Sequence, residues 1–176
     1  MCYSANVILP IYTTPHPILI QPCEPVGEVT AAIRALAADM RETMHNAEGI
    51  GLAAPQVGQT IQLCVLELPP NDRESEGFPY MALLNPRITW KSPRSCTMTE
   101  GCLSIPGVEG TVNRPEEVRV KAKDLEGNTV EIRAAGLLAR ALQHEIDHLH
   151  GVLFTSYIPK KRLRSRPLVE YPQVTN

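Results

Sequence analysis

Apolar positions along this 176-residue chain form two helical stripes separated by a long run of strand-like segments. Between Gly27 and Met44, Val29, Ile33, Leu36, Met40 and Met44 recur every three or four residues, with Arg34, Arg41 and Glu42 between them. That spacing predicts an amphipathic helix with one face on a core. Ile61 to Leu68 is a nearly unbroken apolar run, as expected of a strand covered on both faces. Pro69 to Pro79 reads as a polar loop with its tip at 71–77. Met81 to Leu84 and Arg87 to Lys91 read as two short strands around Asn85-Pro86. Val118, Val120 and Ala122 alternate with charged residues, as do Val130, Ile132 and Ala134. With turn residues from Asp124 to Asn128 between them, these predict an antiparallel hairpin with one wet face.

The second stripe joins Leu138, Leu142, Glu145 and Leu149, with Leu137, Ala141, His144 and His148 beside it. The small apolar run Ala134 to Ala139 marks this helix as buried, and Gly151 supplies a stop. The order of helix, strands and helix predicts an α+β fold. Antiparallel β-sheets would pack around a C-terminal helix, with one N-terminal amphipathic helix. No linker or repeat divides the chain, so residues 1–176 are expected to form a single domain, ending in a basic, Pro-containing tail at 159–176. Pro167 and Pro172 argue against a long helix there.

Charge and cysteine usage narrow the class. The chain is 43% hydrophobic and 20% charged, with a net charge of −2, which gives no global attraction to DNA. No apolar run is long enough to span a membrane, and residues 1–7 lack a basic stretch followed by an apolar one, so secretion is not expected. Five cysteines (Cys2, Cys23, Cys64, Cys96 and Cys102) are irregularly spaced and odd in number. That argues against a disulfide framework and for a reducing compartment, the cytoplasm. The stroma or matrix of an organelle fits the same cysteine usage. The run from Lys160 to Arg166 reads as a solvated basic tail, with contact to ribosomal RNA as the alternative.

The chemistry concentrates in His144-Glu145-Ile146-Asp147-His148. Histidines four apart share one helix face and can bind one ion, with the glutamate beside them as base. Two histidines on a helix are often only polar surface residues, but buried ones need a partner, and a metal supplies it. A catalytic metal usually takes three protein ligands and keeps an open position. The third ligand lies either downstream, where only His150 and a few unremarkable carboxylates follow, or upstream at Cys102 within Glu100 to Pro106. A free cysteine is by default a small buried hydrophobe, which suits Cys64 better than Cys102. Gln56, in the loop Gly49 to Gly58, is an amide able either to donate to an oxyanion or to satisfy buried backbone.

Taken together, three stretches resemble the motifs of the peptide deformylases. Gly49 to Gly58 resembles the first motif, Glu100 to Ser104 the second (EGCLS), and Gln143 to Gly151 the third (QHExDHLxG). Pro15-His16-Pro17-Ile18-Leu19 is similar to the family's early Pro-containing segment. The resemblance implies that Cys102, His144 and His148 bind the metal and that Glu145 is the general acid/base. It implies that Gln56 and the Leu103 N–H hold the oxyanion, and that Ile50 and Gly51 lie beside the substrate. Leu137 would line the methionine pocket. Glu100 would belong to the substrate site as a supporting residue, and position alone suggests Arg114 as its partner. The implied reaction removes the formyl group from the N-formyl-methionyl end of nascent peptides, with transient ribosome association. The implied metal is Fe²⁺, with Zn²⁺, Ni²⁺ or Co²⁺ able to substitute.

Two positions depart from the pattern. Many relatives carry a basic residue where this chain has Gly107 to Gly110, and an apolar one where it has Arg140, expected at the pocket rim. Two rivals stand beside the resemblance. One is an HExxH endopeptidase that does not depend on Cys102. The other is a non-catalytic protein with a closed structural metal site.

Overall fold

The computed structural model describes residues 7–70 and 77–174; the expected loop tip at 71–77, apart from Gly77, and Cys2 lie outside them. In chain order the elements are β1 (Ile11–Tyr12), α1 (Ala31–Asn46), β2 (Gly51–Ala53), β3 (Leu63–Leu68), β4 (Phe78–Lys91), β5 (Ser95–Cys102), β6 (Ile105–Pro115), β7 (Glu117–Lys123), β8 (Thr129–Ala135), α2 (Gly136–Leu149), β9 (Arg164–Ser165) and β10 (Gln173–Val174). Strands β2-β3-β4-β7-β8 form an antiparallel five-stranded sheet, and β5-β6-β9 an antiparallel three-stranded one. A parallel pair joins β1 to β10. No helix among the described residues is long and apolar enough to cross a membrane.

The five-stranded sheet has a helix on each face. Side chains alternate along a strand. Leu63 and Val65 of β3 therefore join Ala37, Met40 and Met44 of α1 on one side. Cys64 and Leu66 join Ala139, Leu142, Ile146 and Leu149 of α2 on the other. Double coverage is why β3 reads as a continuous apolar run. Each fully buried leucine contributes about 1.5–3 kcal/mol, so Leu142 and Leu149, both at 0% exposure, hold α2 firmly to the sheet.

Some boundaries differ from expectation. Helix α1 starts at Ala31 rather than Gly27, because the Thr30 hydroxyl accepts the Ile33 N–H (3.3 Å) and caps it there. The two short strands expected around Asn85-Pro86 are one strand, β4. Asn85 adopts φ 51° and the register slips between Leu84 and Arg87, so a bulge absorbs the irregularity without ending the strand. The Asn85 amide is tied to Val26 through both backbone groups, each at 2.8 Å. Ala134 and Ala135, expected in the second helix, end β8; Gly136 turns the chain sharply into α2 at φ 57°. The tail is not simply solvated: β9 pairs with Val108–Glu109, and β10 with β1.

Candidate metal centre and active site

The tight β5–β6 hairpin and the last turns of α2 bring the three motifs together. Cys102 pairs with Ile105, leaving Leu103 and Ser104 as a two-residue turn, and the register slips at Gly101/Cys102. The Cys102 thiol is thereby aimed at α2. Its Sγ lies 3.2 Å from His148 Nε2. One ligand atom each from Cys102, His144 and His148 all fall within 4.8 Å of one another. Cys102 and His148 are buried, while His144 keeps 11% of its side chain exposed towards the adjoining pocket. Phe154 stacks on the His144 ring at 6.1 Å between centroids.

Glu100 fixes His144. A carboxylate has about four lone-pair sites, and here four donors use them. Oε1 accepts from Arg114 Nε (2.6 Å) and Arg140 Nη1 (2.6 Å). Oε2 accepts from Arg114 Nη2 (3.0 Å) and His144 Nδ1 (3.0 Å). Because His144 donates through Nδ1, its Nε2 is left as the basic nitrogen. These four bonds occupy the Glu100 carboxylate and fix the orientation of the His144 ring. Arg114 reaches on to Asp147 Oδ2 (2.7 Å), which also accepts the Tyr157 hydroxyl (3.0 Å). Arg140 does not reach the rim with its head group: it turns inward to Glu100, Val112 O (3.0 Å) and Cys96 O (2.8 Å).

Electrostatics follow from this network. Burial opposes ionisation of Glu100, but hydrogen bonds from His144 and Arg114 outweigh it and hold the carboxyl down to about 2, against an ordinary 4.5. Burial also opposes the charged form of His144, yet Cys102 and Glu100 hold its pKa well above the usual value. Burial and the neighbouring His144 push His148 well below. Burial drives Glu145 up to about 7.

A depressed carboxyl stabilises the fold fully above its unfolded value of 4.5, and that stability is lost as pH falls through about 2. The wild-type protein is expected to lose roughly 3 kcal/mol to Glu100 protonation across that window. Denaturant unfolding at successive pH values should show a flatter profile for Glu100→Gln below pH 4.5. Equal slopes in the two proteins would overturn this account.

Glu145 faces the centre of the site. It is buried, and its Oε2 has no hydrogen-bond partner among the described residues. A Cβ on Gly51 would lie 2.8 Å from Glu145 Cδ, so only glycine leaves the carboxyl its place. Gln56 is also buried. Its Oε1 accepts the Ala53 N–H (2.8 Å), while Nε2 donates to Ser104 Oγ (3.1 Å) and lies 3.6 Å from Cys102 Sγ. A pocket of about 360 Å³ opens beside these groups, with Ile50, Gly51, Leu103, Leu137 and Ala141 in its wall. All ten residues singled out from sequence lie in or against this one site.

Sequence reasoning placed Arg140 at the rim and missed its buried role, although an arginine on an otherwise apolar helix face needs a buried partner. It missed other participants altogether. Ser104, Tyr157, Arg166 and Tyr171 carried no usable signal, because their contacts are set by turns and by a tail without periodicity.

Comparison with known proteins agrees with this geometry. The family model described as polypeptide deformylase matches residues 8–164. The chain is 47% identical over 186 aligned residues to the peptide deformylase of Salinibacter ruber, covering 96% of this chain and 95% of that one. It is 49% identical over 164 residues to the peptide deformylase of Acinetobacter baumannii, covering 93% and 90%. Among solved structures, peptide deformylase from Ehrlichia chaffeensis in complex with actinonin superposes with a TM-score of 0.82 at 41% identity, covering 88% of this chain and 91% of that one. The Met-Ala-Ser-bound class I type b enzyme from A. baumannii gives 0.82 at 36% identity, covering 87% and 99%. The chain belongs to the peptide deformylase family, metalloenzymes that remove the N-formyl group from newly synthesised polypeptides.

Proposed function

We propose that Cys102, His144 and His148 hold a divalent metal, Fe²⁺ in the working enzyme with Zn²⁺, Ni²⁺ or Co²⁺ able to replace it, and that Glu145 is the general acid/base beside it. The observation that carries this reading is a thiol and two imidazoles within 4.8 Å of one another next to a buried carboxylate oxygen without a partner. The donor set fits such an ion: sulfur and imidazole suit zinc and iron, and His144 is already oriented through Nδ1. When bound, the metal supplies Lewis acidity, which brings the ionisation of water to near neutrality.

The protein's own groups do the rest. Glu145, with a carboxyl near 7, takes a proton from the attacking water and returns it to the departing amine. Gln56 Nε2 and the Leu103 N–H donate to the oxygen of the formyl carbon as it gains charge. Water adds to that carbon, the C–N bond breaks, and formate and a free methionine amine result. Ile50 and Leu137 flank an apolar slot for the methionine side chain, and Gly51 lets the peptide backbone approach. Glu100 acts through His144 rather than on substrate. The Met-Ala-Ser bound to the A. baumannii relative supports a peptide that starts with methionine.

In this reading residues 1–176 work as one catalytic domain in the cytoplasm of a bacterial-type cell. Exposed Lys160, Lys161, Arg162 and Arg164 suit brief contact with ribosomal RNA. The testing experiment is anaerobic assay of the Fe²⁺-loaded protein on formyl-Met-Ala-Ser beside acetyl-Met-Ala-Ser. Formate is expected from the first and no acetate from the second, because a tight site excludes the extra methyl. Absence of formate, or equal cleavage of both, would overturn the reading.

A further inference from the structure

The segment after β9 crosses the mouth of the active-site pocket. The Arg166 N–H donates to Gly107 O (3.0 Å), and the Tyr171 hydroxyl donates to Leu103 O (2.5 Å). Between these anchors Arg166 and Val169 join the lining of the pocket that contains Cys102, His144 and Glu145. The Arg166 guanidinium lies against Gly101: a Cβ there would sit 2.8 Å from Arg166 Cζ, so any other residue would displace it.

Of the charged side chains in this lining, Glu100 and Arg140 are paired with each other, Glu145 faces the centre, and Glu48 is exposed and makes no ion pair with Arg166 among the described residues. Arg166 is half-buried, its Nε is buried without a hydrogen-bond partner, and it enters no ion pair among the described residues. A guanidinium has five donors and cannot shed its charge. With no carboxylate bonded to it among the described residues, it has donors to give to whatever enters.

We propose that Arg166 is a specificity-determining residue that receives a carboxylate carried by the residues following the methionine of the formyl peptide. The inference rests on the proposed deformylase reading of the site. With the methionine side chain in the apolar slot and the formyl group at Glu145, the rest of the peptide must leave through the mouth, past Arg166. An acidic peptide gains a charge-assisted hydrogen bond there, and a basic one meets repulsion. The partly exposed setting limits the difference to about five- to tenfold.

The test uses the metal-loaded protein and three peptides, formyl-Met-Ala-Glu-amide, formyl-Met-Ala-Gln-amide and formyl-Met-Ala-Lys-amide. The wild type is expected to favour Glu over Lys by about five- to tenfold in kcat/KM at low salt, through KM, with the gap narrowing at high salt. Arg166→Gln should remove the preference and Arg166→Lys should keep most of it, with metal content equal in all three proteins. Equal KM values in the wild type, or a preference that survives in Arg166→Gln, would overturn the proposal. So would Arg166→Gln speeding all three substrates alike, since Arg166 would then be a plug. Formate release from the Gln peptide reports separately on the underlying chemistry, so loss of the preference and loss of the deformylase reading are told apart.

Discussion

Glu145→Gln is expected to retain the wild-type metal content while formate release falls by about 10²–10⁴-fold, the range that a positioned acid/base supplies. Glutamine has nearly the same shape, so the wall formed by Gly51 still fits it. None of the three donor atoms of Cys102, His144 and His148 belongs to it. What disappears is the ability to accept and return a proton at a carboxyl lifted by burial to about 7. The substitution also removes a buried ionisable group, so the folded protein should not lose stability near neutral pH. Metal analysis, a thermal melt and a formate assay on one preparation check all three points. Turnover within about tenfold of wild type would remove Glu145 from the role of base.

Cys102→Ala is expected to abolish formate release because the protein is recovered without its metal. Two imidazoles remain, and a catalytic site normally needs three protein ligands. Cys102 sits on a hairpin turn that delivers Sγ to 3.2 Å from His148 Nε2, and no other cysteine shares that placement among the described residues. Cys64 is the matched control. It is fully buried in the core between the sheet and α2, and burial, followed by the nearby Glu145, holds its thiol well above the ordinary pKa. Cys64→Ala should therefore keep its metal. Full occupancy in purified Cys102→Ala, measured as metal per chain with circular dichroism to verify folding, would refute ligation.

The legible parts of this protein are those with a period. The stripe along α2 and the alternation in β7 and β8 came directly from spacing. So did the covered run of β3, because helices on both faces leave no polar face to show. Asn85-Pro86 misled because proline commonly ends a strand, whereas here a left-handed asparagine tied to Val26 carries the strand through. The site was legible through contiguous motifs whose residue types carry chemistry. What joins them was hidden. Arg140 looks like a rim residue in one dimension, and only the three-dimensional crossing of α2 with β5 and β6 shows it completing the fourfold grip on Glu100. The tail was least legible of all, since two-residue strands such as β9 and β10 leave no pattern to read.

The pairing of β10 with β1 has a cost in time. Thr13 and Val174 meet across 161 positions of sequence, and such long-range closure forms late for little local gain. This clasp is therefore expected to form late in folding and to open early, which hydrogen exchange of the Ile11 and Thr13 amides would show. Arg166 and Tyr171 hang between it and β9. On the proposed reading, a protease nick in the tail is expected to raise KM for peptides while leaving metal content unchanged, because Arg166 and Val169 line the pocket and none of the three donor residues lies in the tail.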